Sequence, residues 1–264
     1  MQRNILTVPI RKIGDASASS EQDLVAVEEP LEIRLAGRNV AITMRTPGND
    51  EELAAGFLCT EGILRNPSQI TGISEPERNI VDVLLADETG VDFERLERHF
   101  YVSSSCGVCG KASIGALEAT GCPALIRNLP VIPSSVIHGL PGELRSRQAV
   151  FDRTGGLHAA ALFDSSGRLL NLREDVGRHN AVDKLIGAAF LGDSLPLNDH
   201  ILLVSGRVSF ELVQKALMAG IAVLAAVGAP SSLAVEVALR FGMTLAGFVR
   251  EGRYNVYSGD WRLR

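Results

Sequence analysis

The chain has 264 residues, 46% of them hydrophobic and 22% charged, and a net charge of −5 at neutral pH. That length supports one large domain or two small ones around a substantial core, and the acidic balance argues against a general nucleic-acid binder. Four cysteines make no disulfide framework, the opening MQRNILTVPIRK lacks an apolar signal-peptide core, and no run approaches the ~18 apolar residues of a membrane span. A reducing, cytoplasmic setting is expected, with neither membrane nor nucleic acid as partner.

Residues 1–22 are polar and small, and read as a loose N-terminus. Apolar and polar residues alternate over 24–35 and 39–46 about Gly37-Arg38, which predicts a β-hairpin ended by Pro47-Gly48. Asn49-Asp-Glu-Glu52 has the pattern of a capping box. It opens a helix with Leu53, Ala54, Phe57 and Leu58 on the buried face, where Cys59 is a small buried hydrophobe. Residues 65–78 read as a loop, and 80–85 and 100–102 as strands. The charged run 94–99 between them reads as a solvated connection.

Ser103-Ser-Ser-Cys-Gly-Val-Cys-Gly-Lys111 follows. Its cysteines, Cys106 and Cys109, are spaced C-x-x-C and each precedes a glycine. Such a loop gives room around the sulfur and backbone N–H groups that favour an anion, so it suits an acidified, reactive thiol. Half a zinc site or a redox pair are the other readings. Zinc needs two more ligands, and the five histidines are scattered singly.

Residues 112–120 are predicted helical. Cys122 sits in a turn before Pro123 as an exposed bystander. Ser134-Ser135 start a helix through Val136, Leu140 and Leu144, with Pro141 as a possible kink. A strand over 159–164, a Ser-Ser-Gly turn and a strand over 169–173 come next. Val182, Leu185, Ile186, Ala189 and Phe190 then mark an amphipathic helix. Strand 201–204, helix 208–219, strand 221–227, helix 233–241 and strand 244–249 imply a parallel or mixed sheet. Ligands of such sheets sit beyond the strands' carboxyl ends, at helix N-termini.

Three stretches lie in suitable places. Ser205-Gly206-Arg207 suits a phosphate or simply caps a helix. Glu174, Asp175, Arg178, His179, Asp183 and Lys184 crowd around Gly177 as a polar pocket or a surface ion-pair network, with the pocket favoured. Arg250 and Arg253 flank Gly252 and suit a pyrophosphate or guanine edge, or belong to a basic hairpin turn. His158 reads as a hydrogen-bonded core histidine. Only four lysines stand beside 22 arginines; the guanidinium fork fits phosphate, and high-GC codon usage gives the same bias.

Together these residues resemble the formate dehydrogenase accessory sulfurtransferase family (FdhD). The ordered matches are Thr46-Pro47, Glu52-Leu53, Gly56-Phe57-Leu58, Glu61-Gly62, Ser105-Cys-Gly-Val-Cys-Gly110 and Thr154-Gly-Gly-Leu-His-Ala159. They continue with Glu174-Asp-Val-Gly-Arg-His-Asn-Ala-Val-Asp-Lys184, Ser205-Gly-Arg207, Phe210-Glu211, Ala229-Pro230 and Thr244-Leu-Ala-Gly-Phe-Val-Arg250. Residues 1–22 lie outside the resemblance.

The resemblance implies an α/β fold, a cytidine deaminase-like mixed sheet flanked by helices with a smaller N-terminal α+β subdomain. The division would be 1–22 as a flexible end, 23–125 ending in the C-x-x-C loop, and 126–264 as the cofactor-binding part. Deaminases hold zinc through H-x-E and P-C-x-x-C, but His158-Ala159-Ala160 lacks the glutamate and Ser105 replaces the proline, so no intrinsic metal is expected. The implied activity is sulfur transfer. A cysteine desulfurase would load Cys106 as a persulfide, with Cys109 as a second carrier, relay or disulfide partner. The sulfur would pass to molybdenum in bis(molybdopterin guanine dinucleotide), bound as substrate and destined for formate dehydrogenase. Phe248, Val249, Arg250, Glu251, Gly252 and Arg253 would contact its guanine nucleotide end. Ser205, Gly206, Arg207, Arg178 and His179 complete the expected site, and the family implies a homodimer. The alternatives are a zinc-dependent deaminase-like hydrolase and a non-catalytic cofactor chaperone.

Overall fold

A computed structural model describes residues 4–14, 18–87, 89–91, 93, 117 and 121–264. Cys106 and Cys109 lie outside the described residues. So do the expected strand over 100–102, the charged run over 94–99 and, apart from Leu117, the expected helix over 112–120.

The chain adopts the expected mixed α/β class. Strands β1 (Ile5–Ile13) and β2 (Ala18–Ala26) form an antiparallel ribbon. A loose end was expected there, but β2 supplies an antiparallel partner in register along the whole of β1, from Ile5 opposite Ala26 to Ile13 opposite Ala18. The predicted hairpin is β3 (Glu29–Leu35) and β4 (Arg38–Arg45), and residues 24–26 belong to the ribbon instead. Helix α1 spans Asp50–Thr60. Residues 70–77 are no loop: β5 (Ile70–Glu77) pairs with β6 (Ile80–Leu85), completing a sheet of order β4-β3-β6-β5.

The second half contains α2 (Ser134–Arg147), α3 (Ala149–Thr154), β7 (His158–Asp164), β8 (Leu169–Asp175) and α4 (Arg178–Leu191). It continues through β9 (His200–Val204), α5 (Phe210–Met218), β10 (Val223–Ala226), α6 (Ser232–Arg240), β11 (Thr244–Arg250) and β12 (Arg253–Ser258). The sheet order is β12-β11-β10-β9-β7-β8, with β9, β10 and β11 parallel. Period-two alternation sorts the side chains. Ile201, Leu203, Val223 and Ala225 face Ile137, Leu140 and Leu144 of α2. Leu202, Val204, Leu224 and Ala226 join the core formed with α1, α4 and α5. Both faces are covered, which is why these strands read as unbroken apolar runs.

The two sheets are joined where α1 crosses α4. A Cβ on Gly56 would stand 1.8 Å from the Asp183 carbonyl oxygen, and one on Gly187 would stand 1.8 Å from that of Glu52. The helices therefore touch backbone to backbone, as only glycine permits.

Two local expectations are corrected. Asn49 makes no side-chain cap and sits at φ 58°, so the capping box does not form. Instead Asp50 takes a buried Arg45, with Nε donating to Oδ1 at 3.0 Å and Nη2 to Oδ2 at 2.7 Å. Helix α3 was not foreseen. It is held by the Glu174 carboxylate, which accepts from the N–H groups of Val150 (3.2 Å) and Phe151 (3.0 Å) at its N-terminus. Among the described residues no helix is long and apolar enough to cross a membrane.

Candidate functional site

The carboxyl ends of β9, β10 and β11 lie side by side, and three turns leave them. Gly228 N donates to Gly206 O at 3.0 Å, and Phe248 N donates to Gly228 O at 3.0 Å. A Cβ on Gly228 would stand 2.7 Å from Gly206 O, so the glycine lets the first two turns touch. Phe248 has φ 53° beside a break in strand register, and its ring is exposed. A bulky residue held there is strained, a feature that concentrates at functional positions. Gly252 supplies the φ of 76° in the two-residue turn from Arg250 to Arg253.

His158 and helix α4 close on these turns from the side. Ser205 Oγ accepts from Ala159 N at 2.9 Å, fixing the start of β7 to the end of β9. The missing Cβ of Gly206 leaves room for His158 Nδ1, 3.2 Å from its place, and for Arg178 Cδ, 3.9 Å away. The Arg178 Nε is buried and has no hydrogen-bond partner among the described residues. Neither Arg178 nor the exposed Arg207 has a carboxylate partner among the described residues. His179 Nε2 lies 3.2 Å from Ser209 Oγ and 3.9 Å from Glu211 Oε2. Burial first, then Lys215 and Arg178, hold its pKa down to about 4. Burial, Arg178 and Arg207 also lower that of His158. The histidines are therefore neutral at neutral pH, and the uncompensated charge belongs to the arginines. That arrangement favours an anion.

A cavity of about 1070 Å³ opens beneath the strand ends. Its sheet side carries His158, Ser205, Val227, Arg250 and Glu251, and its far wall comes from α2 and α3. Arg250 Nη1 donates to Val227 O (2.7 Å) and Val249 O (2.8 Å), so its guanidinium is held at the rim. Arg253 is exposed beyond it. Val249 behaves differently: its side chain is fully buried in the core under α2, leaving only its main chain to face a ligand.

The structure brings Ser205, Gly206, Arg207, Arg178, His179, Phe248 and Arg250 to one edge of the sheet. It does not do this for the rest of the stretch 174–184, where a polar pocket was expected. Asp175 and Lys184 are buried as an ion pair of 2.7 Å. Lys184 Nζ also donates to Thr46 O (2.8 Å), while Asp175 accepts from the N–H groups of Thr46 (3.1 Å) and Gly177 (2.8 Å). Asp183 lies within hydrogen-bond distance of Lys215 and Thr60. Burial alone would strip the proton from Lys215, but Asp183 and Glu61 outweigh it and keep the lysine charged. These groups pin α1, β4 and α5 to α4. Their partners outside this stretch, Thr46, Thr60 and Lys215, lie 32 to 138 residues away, beyond any local reading.

Cys59 is buried, and burial, then Asp183, pushes its thiol up to about 12. It is the inert hydrophobe expected. Cys122 is half-buried rather than exposed, with its Sγ 3.4 Å from Met218 Sδ. The α2 wall and Gln148 were missed from sequence. The signal was there in Gly139, Pro141 and Gly142, three poor helix formers inside one helix.

The model of the FdhD/NarQ family matches residues 26–264. A protein of Streptomyces avermitilis called sulfur carrier protein FdhD is 52% identical over 262 residues, 96% of this chain and 93% of its own. One of the same name from Sulfolobus acidocaldarius is 45% identical over 259 residues, 98% of both chains. A crystal structure from Desulfotalea psychrophila, described as a candidate formate dehydrogenase accessory protein, superposes with a TM-score of 0.80 at 26% identity. It covers 99% of this chain and 100% of its own. The motifs that carried the resemblance therefore sit in a full-length match of sequence and fold, and the chain belongs to the FdhD/NarQ family.

Proposed function

We propose that this chain is a sulfur carrier for the maturation of formate dehydrogenase, acting in the cytoplasm as a homodimer. The observation that carries the reading is the anion-seeking edge of the large sheet, in a family whose relatives are called sulfur carriers. Arg178 and Arg207 stand there without carboxylate partners among the described residues, Arg250 holds the rim of a large cavity, and Phe248 is strained outward beside them. This edge receives a phosphorylated substrate, the guanine nucleotide end of bis(molybdopterin guanine dinucleotide). The neutral imidazoles of His158 and His179 hydrogen-bond without adding charge. The larger sheet serves as a cytidine deaminase-like scaffold.

The sulfur rides on Cys106. Its thiolate attacks the outer sulfur of the persulfide on a cysteine desulfurase; that S–S bond breaks, the desulfurase thiolate leaves, and a new S–S bond forms on Cys106. Cys109 is its partner in the loop, and the sulfur then goes to molybdenum. Incubation with a desulfurase and L-cysteine should add one sulfur, about 32 Da, to the intact mass, and treatment with a reductant should remove it. A Cys106→Ala chain that keeps the adduct would overturn the assignment of the carrier. The zinc-hydrolase and chaperone alternatives gain no specific observation.

A further inference from the structure

We propose that an apolar patch at the amino end of β11, built on Trp261 and Arg127, is the surface on which the sulfur-donating protein docks. The inference rests on the proposed function, in which a persulfide-bearing protein loads the thiol of Cys106.

The patch is centred on the chain's one tryptophan. Trp261 is 38% exposed, although its large apolar ring gains from burial. It is also held in place. Its Nε1 donates to Arg127 O at 2.5 Å, and the Arg127 guanidinium lies 5.1 Å over its ring. Ile126, Leu129 and Leu239 are each about half exposed or more, at 55%, 48% and 57%. Arg262 ties their segments together from below. Its Nη2 donates to Ile126 O (2.8 Å), its Nε to Leu129 O (2.7 Å) and its Nη1 to Gly242 O (2.7 Å), just past the end of α6. Apolar residues scattered singly on a surface are ordinary. Grouped around a fixed tryptophan and an arginine, they have the make-up of an interface centre.

Charge selects the occupant. Arg127 is exposed and Arg262 is fully buried, and neither has a carboxylate partner among the described residues. Arg262 donates only to carbonyl oxygens and the Thr244 hydroxyl. Asp260, exposed beside Trp261, leaves the local balance positive, on a chain whose net charge is −5. A second copy packed about a two-fold axis would set these arginines against themselves. An apolar surface rimmed by carboxylates fits them instead.

Position selects the sulfur donor among such partners. Arg262 Nη1 lies 3.2 Å from Thr244 Oγ1, at the first residue of β11, whereas Arg250 at its last residue borders the cavity. The strand between them spans ~20 Å, so a donor on the patch leaves the phosphate edge open. Cys122 begins the segment that carries Ile126 and Leu129, and its Sγ lies 3.4 Å from Met218 Sδ. Cys106 stands 16 residues before Cys122, a tether of at most ~55 Å that bounds the distance from the receiving thiol to a donor held on the patch.

The test follows sulfur loading of the full chain by intact mass, with a cysteine desulfurase and L-cysteine in one arm and sodium polysulfide in the other. Polysulfide gives sulfur to the same thiolate by S–S exchange, a shorter polysulfide leaving, and needs no docking surface. Ile126→Glu and Arg127→Glu should each raise the KM for the carrier in the desulfurase arm at least ~10-fold. Their kcat, and their rate with polysulfide, should stay within about two-fold of the parent. The parent's KM should rise with salt, and Arg127→Ala should flatten that rise. Both positions are exposed, so the glutamate variants should melt within ~3 °C of the parent. If Ile126→Glu does not fold, Leu239→Glu on α6 takes its place.

An unchanged KM in these variants would overturn the inference. So would an equal loss in the polysulfide arm, which traces the defect to the thiol rather than to docking. Conversion of a dimeric parent to monomers by Ile126→Glu, read by sedimentation velocity, would hand the patch to a second copy and overturn it as well. Loading of the parent by polysulfide alone would remove the desulfurase and the role of the patch while leaving Cys106 a carrier. Loading by neither source would take the carrier reading down too.

Discussion

Gly187→Ala isolates the contact that unites the two sheets. In an isolated helix the change is favourable by ~1 kcal/mol, because alanine outranks glycine. In the folded chain the new methyl would stand 1.8 Å from the Glu52 carbonyl oxygen, where ordinary contact begins at 3.4 Å. The obstacle is main chain on both sides, so α1 and α4 must separate by about 1.6 Å. Overpacking of this kind costs ~1–3 kcal/mol, and this site belongs at the upper end. We expect a net loss of ~2 kcal/mol in urea unfolding, with a melting temperature lower by ~4–8 °C. The control is Gly139→Ala, with nothing within 4 Å of the added atom, which should gain up to ~1 kcal/mol. A Gly187→Ala chain as stable as the parent would refute the backbone-to-backbone crossing.

Other consequences can be measured separately. Lys184→Met leaves Asp175 charged and buried, and should cost ~3–5 kcal/mol by urea titration; Asp175→Asn in the same chain should recover part of it. Arg178→Ala should weaken pyrophosphate binding about ten-fold by calorimetry, one charge-assisted hydrogen bond's worth, and flatten its salt dependence. His179 has a pKa of about 4 in the folded chain against an ordinary 6.5. As pH falls through that window the unfolded chain takes up a proton that the folded chain refuses, so stability should drop between pH 6.5 and 4. His179→Gln should remove that part of the slope in urea midpoints measured across the window.

Sequence pattern placed β7 to β11 and α4 to α6 to within a few residues, whereas α3 and β12 were not placed. Ile201–Val204 is apolar throughout because both faces of its strand are covered. Val182, Leu185, Ile186 and Phe190 recur at helical spacing and all lie in the core, although α4 is buried on every side from Asn180 to Gly187. The turns at Ser205 and Arg250 were legible because glycine and arginine after a strand carry their own chemistry.

The destinations of the charges in 174–184 were not legible. Asp175 and Asp183 look alike along the chain, beside Arg178 and His179, yet two of the four are structural and two face the open edge. Their partners, Thr46, Thr60 and Lys215, approach only once α1 has seated on α4. The family and the regular elements were thus written in short-range pattern, where neighbours along the chain are also neighbours in space. Burial of the ion pairs, the strain at Phe248 and the unpaired amide of Gln148 came from tertiary packing, because desolvation and close approach depend on segments that no local window contains.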